Sequence, residues 1–384
     1  MSDFPDPGTD ALVHSARVTD HISRAIADAG GWISFERYMD LALHAPALGY
    51  YAAGAAKFGA DGDFVTAPEI SFLFGRTLAA QAGEVMAASQ ASLLEFGAGS
   101  GRLAADLLSA LGGNCQEYLI LETSPDLRER QARTLAAAGH AGRVRWLDAL
   151  PARFSGCIIA NEVLDAMPVQ LIERRGGRWI ERGVRADGGK GFAWADGPEV
   201  DRVPPTLDAA EFPAGYQTEI NRRAPAWIDS LGRALTHGAA LIIDYGFAAN
   251  EYYHPQRSTG TLMCHTRHRA HADPFFAPGL TDITAHLDFT SLADAARSAG
   301  LDVLGYATQA NFLINCGITD LLARTPAADA AAYLPLANQA NRLLSPAEMG
   351  ELFKVLVLGR GFEHALVGFA RGDRRHALLP CALA

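Results

Sequence analysis

The chain has 384 residues, 49% of them hydrophobic and 20% charged, with a formal net charge of -10. That length holds one elaborated domain or two, and the composition is that of a soluble globular protein. The acidic balance argues against a general polyanion binder, so nucleic acid is not an expected partner.

The cysteines, Cys115, Cys157, Cys264, Cys316 and Cys381, are far apart and form no CxxC pair, which reads as reduced thiols. The opening MSDFPDPGTD is acidic and has neither a basic n-region nor an apolar h-region. Together these features predict a cytoplasmic protein. No apolar run approaches bilayer-spanning length, so no membrane insertion is expected. Oligomeric state stays open.

In chain order, residues 10–30 carry Leu12, Val13, Val18, Ile22 and Ile26 at roughly helical spacing. A second helix should start at a Ser34 cap and stop by Pro46 and Gly49. Residues 49–70 are rich in Gly and Ala with several aromatics, which is loop chemistry. From residue 92 the rhythm becomes α/β: strands at 93–96, 118–121, 144–147 and 157–160, with helices between them. Ser124-Pro125 is a good N-cap and N1 pair for one of those helices. VQLIERRGGRWIERGV reads as a hairpin turning at Gly176-Gly177, and GGKGFAWAD as a further strand. A helix near 217–235 and the apolar strand AALIIDYGF follow. Residues 250–290 lack clear periodicity and are read as a long loop. The tail predicts a helix near 291–299, a strand near 301–307, helices within 313–354 and a last strand in HALVGFA. The expected fold is an α/β, Rossmann-like doubly wound sheet with an N-terminal helical arm and an inserted β element.

The strand at 93–96 runs into Gly97-Ala98-Gly99-Ser100-Gly101, with Glu95 two residues before the first glycine. Glycine lets the backbone approach a ligand closely at a helix start. The dinucleotide fingerprint is G-x-G-x-x-G, whereas this turn is G-x-G-x-G, which resembles the first motif of class I S-adenosylmethionine methyltransferases. Glu122, ending the second strand, is an acceptor-only carboxylate suited to two ribose hydroxyls, of NAD as well as of S-adenosylmethionine. Asp148, ending the third, is either an adenine contact or a helix cap. Asn161-Glu162-Val163-Leu164-Asp165 leaves the fourth strand where open α/β sheets bind ligands.

GYYAAGAAKFGADGDFVTAPEISFLFGR, LLEFGAGSGRLAADLL, ANEVLDAMPV, LIIDYGF, DITAHLDFT and MGELFKVLVLGRG occur in this order. Together they closely resemble the MidA-like family of class I methyltransferases, over about residues 20–370. That family includes a mitochondrial protein-arginine methyltransferase that assists assembly of a respiratory complex. The resemblance implies an enzyme using S-adenosyl-L-methionine, leaving S-adenosylhomocysteine, and acting on a protein, with a respiratory-complex subunit as a candidate. It implies an arm and cofactor lid over 1–85 and a methyltransferase domain over 86–384, with insertions at about 169–215 and 250–290.

The cofactor-binding residues expected are Glu95, Gly97, Gly99, Gly101, Glu122, Asp148 and Asn161, with Phe64, Thr66 and Pro68 from the lid. Phe64 could equally pack the arm onto the sheet. Glu162 and Asp165 are the expected catalytic carboxylates, able to grip a guanidinium fork. Glu69, His286 and Asp288 are placed on the substrate, although the DITAHLDFT residues could equally form a buried hydrogen-bonded turn. His265, His268 and His271 would share a face with one another only if helical. Pro274 opposes that, so no metal is expected. Rival readings are a methyltransferase for a small molecule or another side chain, an NAD-linked oxidoreductase, and a non-catalytic assembly factor that retains cofactor binding.

Overall fold

The computed structural model describes residues 8–52, 65–189, 191–267 and 269–379. Phe64, His268 and Cys381 therefore lie outside the described residues, as does most of the lid expected before Val65. The chain divides into two compact units. One takes its described residues from Met1–Phe64, Asp165–Ala224 and Ala249–Asp288; the other takes them from Val65–Leu164, Pro225–Ala248 and Phe289–Ala384. The expected arm and both expected insertions contribute to the first unit, except that Val65 onward belongs to the second.

The second unit is built on a sheet of β1 (Ser92–Phe96), β2 (Glu117–Leu121), β3 (Val144–Leu147), β4 (Phe154–Asn161), β5 (Leu235–Phe247), β6 (Asp302–Thr308) and β7 (Phe353–Arg360). The spatial order is β6-β7-β5-β4-β1-β2-β3. Strands β5, β4, β1, β2 and β3 run parallel, and β7 is antiparallel to both of its neighbours. All five residues of β1 are buried, as expected for a strand covered on both faces. Leu93, Cys157, Ile159, Leu241 and Val357 share a core with the helices Phe72–Ala88 and Arg102–Leu111. Against the opposite face, Trp227 of the helix Arg223–Ala234 meets Phe96 edge-on at 4.9 Å. This is the α/β sheet expected from the sequence.

The first unit holds an antiparallel sheet, in which Arg178–Ala186 lies between Ile33–Ser34 and Gln170–Arg175 and also pairs Phe192–Glu199, while Gln217–Ile220 pairs Gln170–Arg175. Its hairpin turns at Gly176 and Gly177, both at positive φ (55° and 79°), the geometry a two-residue turn requires. Ser34 caps the helix Phe35–His44 by accepting from Arg37 N at 3.1 Å. Val18, Ile22 and Ile26 line one side of Thr9–Asp28 and join Phe35, Met39, Val169, Leu171 and Val184 in a separate core.

Four sequence expectations are corrected. The 250–290 segment is not a plain loop. It contains Met263–Thr266 paired on one side with Arg269–His271 and on the other with Asp282–Thr284, strands too short to show a period. The stretch carrying His265 and His271 is thus extended, not helical. The helix near 217–235 starts only at Arg223, because Gln217–Ile220 is taken into the sheet. The last strand is Phe353–Arg360, an apolar run buried between two neighbours, and HALVGFA holds a short 3-10 turn at Val367–Phe369. The helices within 313–354 are Gln309–Asn315, Ile318–Ala323 and Ala330–Leu344, ending before the strand.

Candidate functional site

The carboxyl ends of β1, β2 and β4 carry the residues singled out in the sequence. Gly97, Gly99 and Gly101 have φ of 58°, 53° and 84°, a left-handed path that non-glycine residues rarely take. Among the described residues, a Cβ added at Gly99 would meet nothing within 4 Å, whereas one at Gly101 would lie 3.0 Å from Gln131 Cα. The turn is therefore closed against the protein at Gly101 and open at Gly99.

Glu95 is 2% exposed and accepts from the Tyr118 hydroxyl at 2.5 Å. Burial pushes its carboxyl up to about 7, opposed by the Tyr118 hydrogen bond. Glu122 is also buried. It accepts from Ser124 N at 2.9 Å and from Gln131 Nε2 at 3.2 Å, and burial again raises its pKa. Asp148 is different: its side chain is 91% exposed and pairs with Arg128 at 2.6 Å. Arg128 also donates to the carbonyls of Glu122 (2.6 Å) and Leu147 (2.9 Å), which ties the ends of β2 and β3 together.

Glu162 follows β4 and has φ of +52°, the left-handed region, costly for a residue with a side chain. Its N–H donates to Ile243 O on β5 at 2.9 Å. Its Oε1 accepts from Ala67 N at 3.3 Å and from Asn161 Nδ2 at 3.1 Å. Ala67 opens the short helix Ala67–Ile70, whose N-cap is Thr66 and which contains the buried Pro68. From the same helix Glu69 accepts from the Ser100 hydroxyl. Glu69, expected on the substrate, thus sits on the glycine turn. Strain of this kind, over-determined by surrounding hydrogen bonds, is concentrated at functional sites.

The remaining sequence candidates belong to the first unit. Asp165 is buried, and its carbonyl accepts from Ala285 N at 3.0 Å. The Tyr51 hydroxyl donates to Asp282 at 2.8 Å, and burial together with Asp282 and Asp165 raises its pKa well above the usual phenol value. His286 donates its N–H to Thr261 Oγ1 at 3.1 Å, and Asp288 is buried as the hydrogen-bond partner of Tyr253. No metal-binding group of His, Cys, Asp and Glu occurs among the described residues. Cys115, Cys157, Cys264 and Cys316 are free and buried.

Sequence reading missed Gln131 and Glu219. Gln131 is fully buried between the glycine turn, Glu122 and Trp146. A polar residue one turn before the buried Leu135, on the inward face of Pro125–Ala137, was the available signal. Glu219, also fully buried, accepts from Thr261 N and Oγ1 at 3.0 Å, Leu262 N at 3.1 Å and the Tyr252 hydroxyl at 3.3 Å. It pins the loop before Met263–Thr266.

These residues fit a nucleoside carrying an amino acid. Among the described residues the turn has room at Gly99, and Asn161 Oδ1 is buried with no hydrogen-bond partner, an acceptor suited to an ammonium. The comparisons agree. The sequence model of a family of S-adenosyl-L-methionine-dependent methyltransferases matches residues 73–307. The chain is 31% identical to protein arginine methyltransferase NDUFAF7, mitochondrial, of Danio rerio, covering 88% of this chain and 85% of that one. For the Bos taurus protein of the same name the identity is 32%, with 85% and 80% covered. A COG1565 superfamily member from Burkholderia thailandensis, crystallised with S-adenosyl-homocysteine, is 50% identical with a TM-score of 0.94, covering 97% of this chain and 100% of that one.

One expectation falls. The relatives are named mitochondrial, so the inference of a cytoplasmic protein from thiols and an acidic start is withdrawn; neither feature distinguishes the cytoplasm from another reducing compartment. No helix among the described residues is long and apolar enough to cross a membrane. With the glycine turn, the sheet order and a family match over more than half its length, the chain belongs to the MidA-like S-adenosyl-L-methionine-dependent methyltransferases.

Proposed function

We propose that this methyltransferase modifies an arginine side chain of a protein, with a respiratory-complex subunit as the acceptor to which the family resemblance points. Supporting this, the curated relatives are named protein arginine methyltransferases. The observation that carries the reading is Glu162: a carboxylate at the end of β4, on a left-handed backbone, with Oε1 anchored by Ala67 N–H and Asn161.

When bound, the cofactor supplies a methyl carbon attached to positively charged sulfur. A guanidinium is a poor nucleophile because it stays protonated. Glu162 would accept one of its N–H groups, turn a nitrogen towards the methyl group and take up the proton as the new N–C bond forms and the carbon–sulfur bond breaks, its electron pair neutralising the sulfur. Asp165, three positions further along the chain, is proposed as the second carboxylate on spacing alone. Gly97, Gly99, Gly101, Glu122 and Asn161 would hold the cofactor. Glu95 would act from beneath the turn and Asp148 from the rim of β3. Thr66, Pro68 and Glu69 form the described part of a lid, and His286 and Asp288 would meet the acceptor protein.

Glu162→Gln keeps an oxygen for Ala67 N–H but removes the charge. S-adenosylhomocysteine affinity should stay within about twofold of wild type. Transfer of labelled methyl into protein methylarginine, in lysate from cells lacking the gene, should fall about 100-fold or more. Asp165→Asn should show a smaller loss. Undiminished transfer by both variants would reject the carboxylate pair, and label in a product other than methylarginine would reject the substrate class.

A further inference from the structure

We propose that Gln131 is the positioning residue that makes cofactor binding selective for a ribose diol. The inference rests on the reading of Glu122 as the ribose carboxylate.

Gln131 lies on the helix Pro125–Ala137 and is fully buried. Its Nε2 donates to Gly99 O at 3.2 Å and to Glu122 Oε2 at 3.2 Å. Its Oε1 accepts from Trp146 Nε1 at 2.8 Å. The three partners come from the three strand ends over which a nucleoside would lie: the glycine turn after β1, the carboxylate after β2, and β3.

The amide can point only one way. The indole nitrogen of Trp146 is a donor and never an acceptor. Gly99 O is an acceptor only, and so is the ionised Glu122 carboxylate. Oxygen must therefore face Trp146, and both amide hydrogens must face the turn and the carboxylate. No other side chain of similar size offers two donors and one acceptor in this arrangement. Glutamate would set a second carboxylate against Glu122, and methionine would leave Gly99 O, Glu122 Oε2 and Trp146 Nε1 without their partner.

The consequence is mechanical as well as electrostatic. Glu122 is held on one side by Ser124 N–H and on the other by Gln131, so the carboxylate plane is set before any ligand arrives. A pre-set acceptor discriminates a diol from a ribose lacking it, because without the diol the buried carboxylate keeps its protein donors but loses the two that the hydroxyls would add. Freed from Gln131, Glu122 could turn, and discrimination should decline even where some affinity persists. Gly99 O is fixed by the same amide, so turn and carboxylate keep a constant separation.

The test is titration calorimetry of the full chain with S-adenosylhomocysteine and with its 2′,3′-dideoxyribose analogue. Glu122→Ala, Gln131→Met and Trp146→Phe are compared with wild type, and folding is monitored by circular dichroism and melting without ligand. Wild type should prefer the diol by about 100-fold, as expected for two hydrogen bonds to a charged group. Gln131→Met should reduce that preference at least about tenfold, with a smaller reduction in Trp146→Phe, which frees Oε1 and leaves both donors in place. Equal losses for both ligands in Gln131→Met, leaving the preference intact, would make Gln131 merely structural and overturn the proposal. An unfolded Gln131→Met passes the decision to Trp146→Phe, where an unchanged preference overturns it. Unchanged diol preference in Glu122→Ala would instead overturn the ribose reading of Glu122, and the two failures are therefore separable.

Discussion

The Ser100 hydroxyl in the glycine turn donates to the carboxylate of Glu69, a residue 31 positions earlier in the chain. With the Ala67 N–H to Glu162 bond, this ties the short helix Ala67–Ile70 at two points, to the turn and to the end of β4. Glu69→Ala should release the first tie. We expect S-adenosylhomocysteine affinity to fall several-fold and the amides of Ile70 and Ser71 to exchange faster, while Glu69→Gln stays near wild type. Hydrogen exchange by mass spectrometry with and without ligand checks both effects. Unchanged exchange in the alanine variant would mean that Glu162 alone holds the helix.

Two glycines of the turn should fail differently. Alanine at either position pays roughly 1–2 kcal/mol for a left-handed backbone. At Gly99 none of the described residues is struck, so the chain should fold and lose ligand affinity by more than about tenfold. At Gly101 the new Cβ presses on Gln131 Cα, so Gly101→Ala should lose clearly more stability than Gly99→Ala. Urea melts beside ligand titration separate the outcomes. Wild-type affinity in Gly99→Ala would remove the turn from the cofactor site.

Glu122→Ala should weaken S-adenosylmethionine and S-adenosylhomocysteine alike, by about 1–3 kcal/mol for the lost charge-assisted bonds. The two ligands share the ribose, so a loss confined to one would contradict the assignment. Equilibrium dialysis with both is sufficient.

The Glu95–Tyr118 pair should leave a signature in stability against pH. Burial raises the Glu95 carboxyl from an unfolded value near 4.5 to about 7, so the folded state binds a proton more tightly than the unfolded state. Below about pH 4.5 this group adds no penalty. As pH rises from there through about 7, stability is lost, by about 3 kcal/mol at most, and the loss then levels off. Glu95→Gln retains an acceptor for the Tyr118 hydroxyl and should flatten that part of the curve. Chemical denaturation of both proteins between pH 5 and 8 measures it; parallel curves would place the titrating group elsewhere.

Much of the parallel sheet was legible because each strand is a short apolar run ending in something chemically specific: Gly97, Glu122 or Asn161. The segment around Met263–Thr266 was not, since its strands have three or four residues and Gly, Pro and His between them obscure any alternation. KVLVLG in β7 falls almost wholly between the helices expected up to residue 354 and the strand expected in HALVGFA, because an apolar run of that length does not reveal its period. Glu69 was assigned by type, as a carboxylate near a presumed lid, and only the fold shows it turned onto Ser100. Gln131 carried no motif. Its significance lies in three partners distant in sequence, which no spacing rule connects.

Strand β7 has a consequence for synthesis. In the finished sheet Leu356 lies between Ile242 and Tyr306, yet both of those residues leave the ribosome before it. Until the last strand emerges, the nascent β5 and β6 each present an open hydrogen-bonding edge, the kind of template on which chains aggregate. Completion of the sheet is thus postponed until Phe353–Arg360 has emerged. A premature stop near Gly350 would remove few of the residues discussed above, but should send the product to the insoluble fraction.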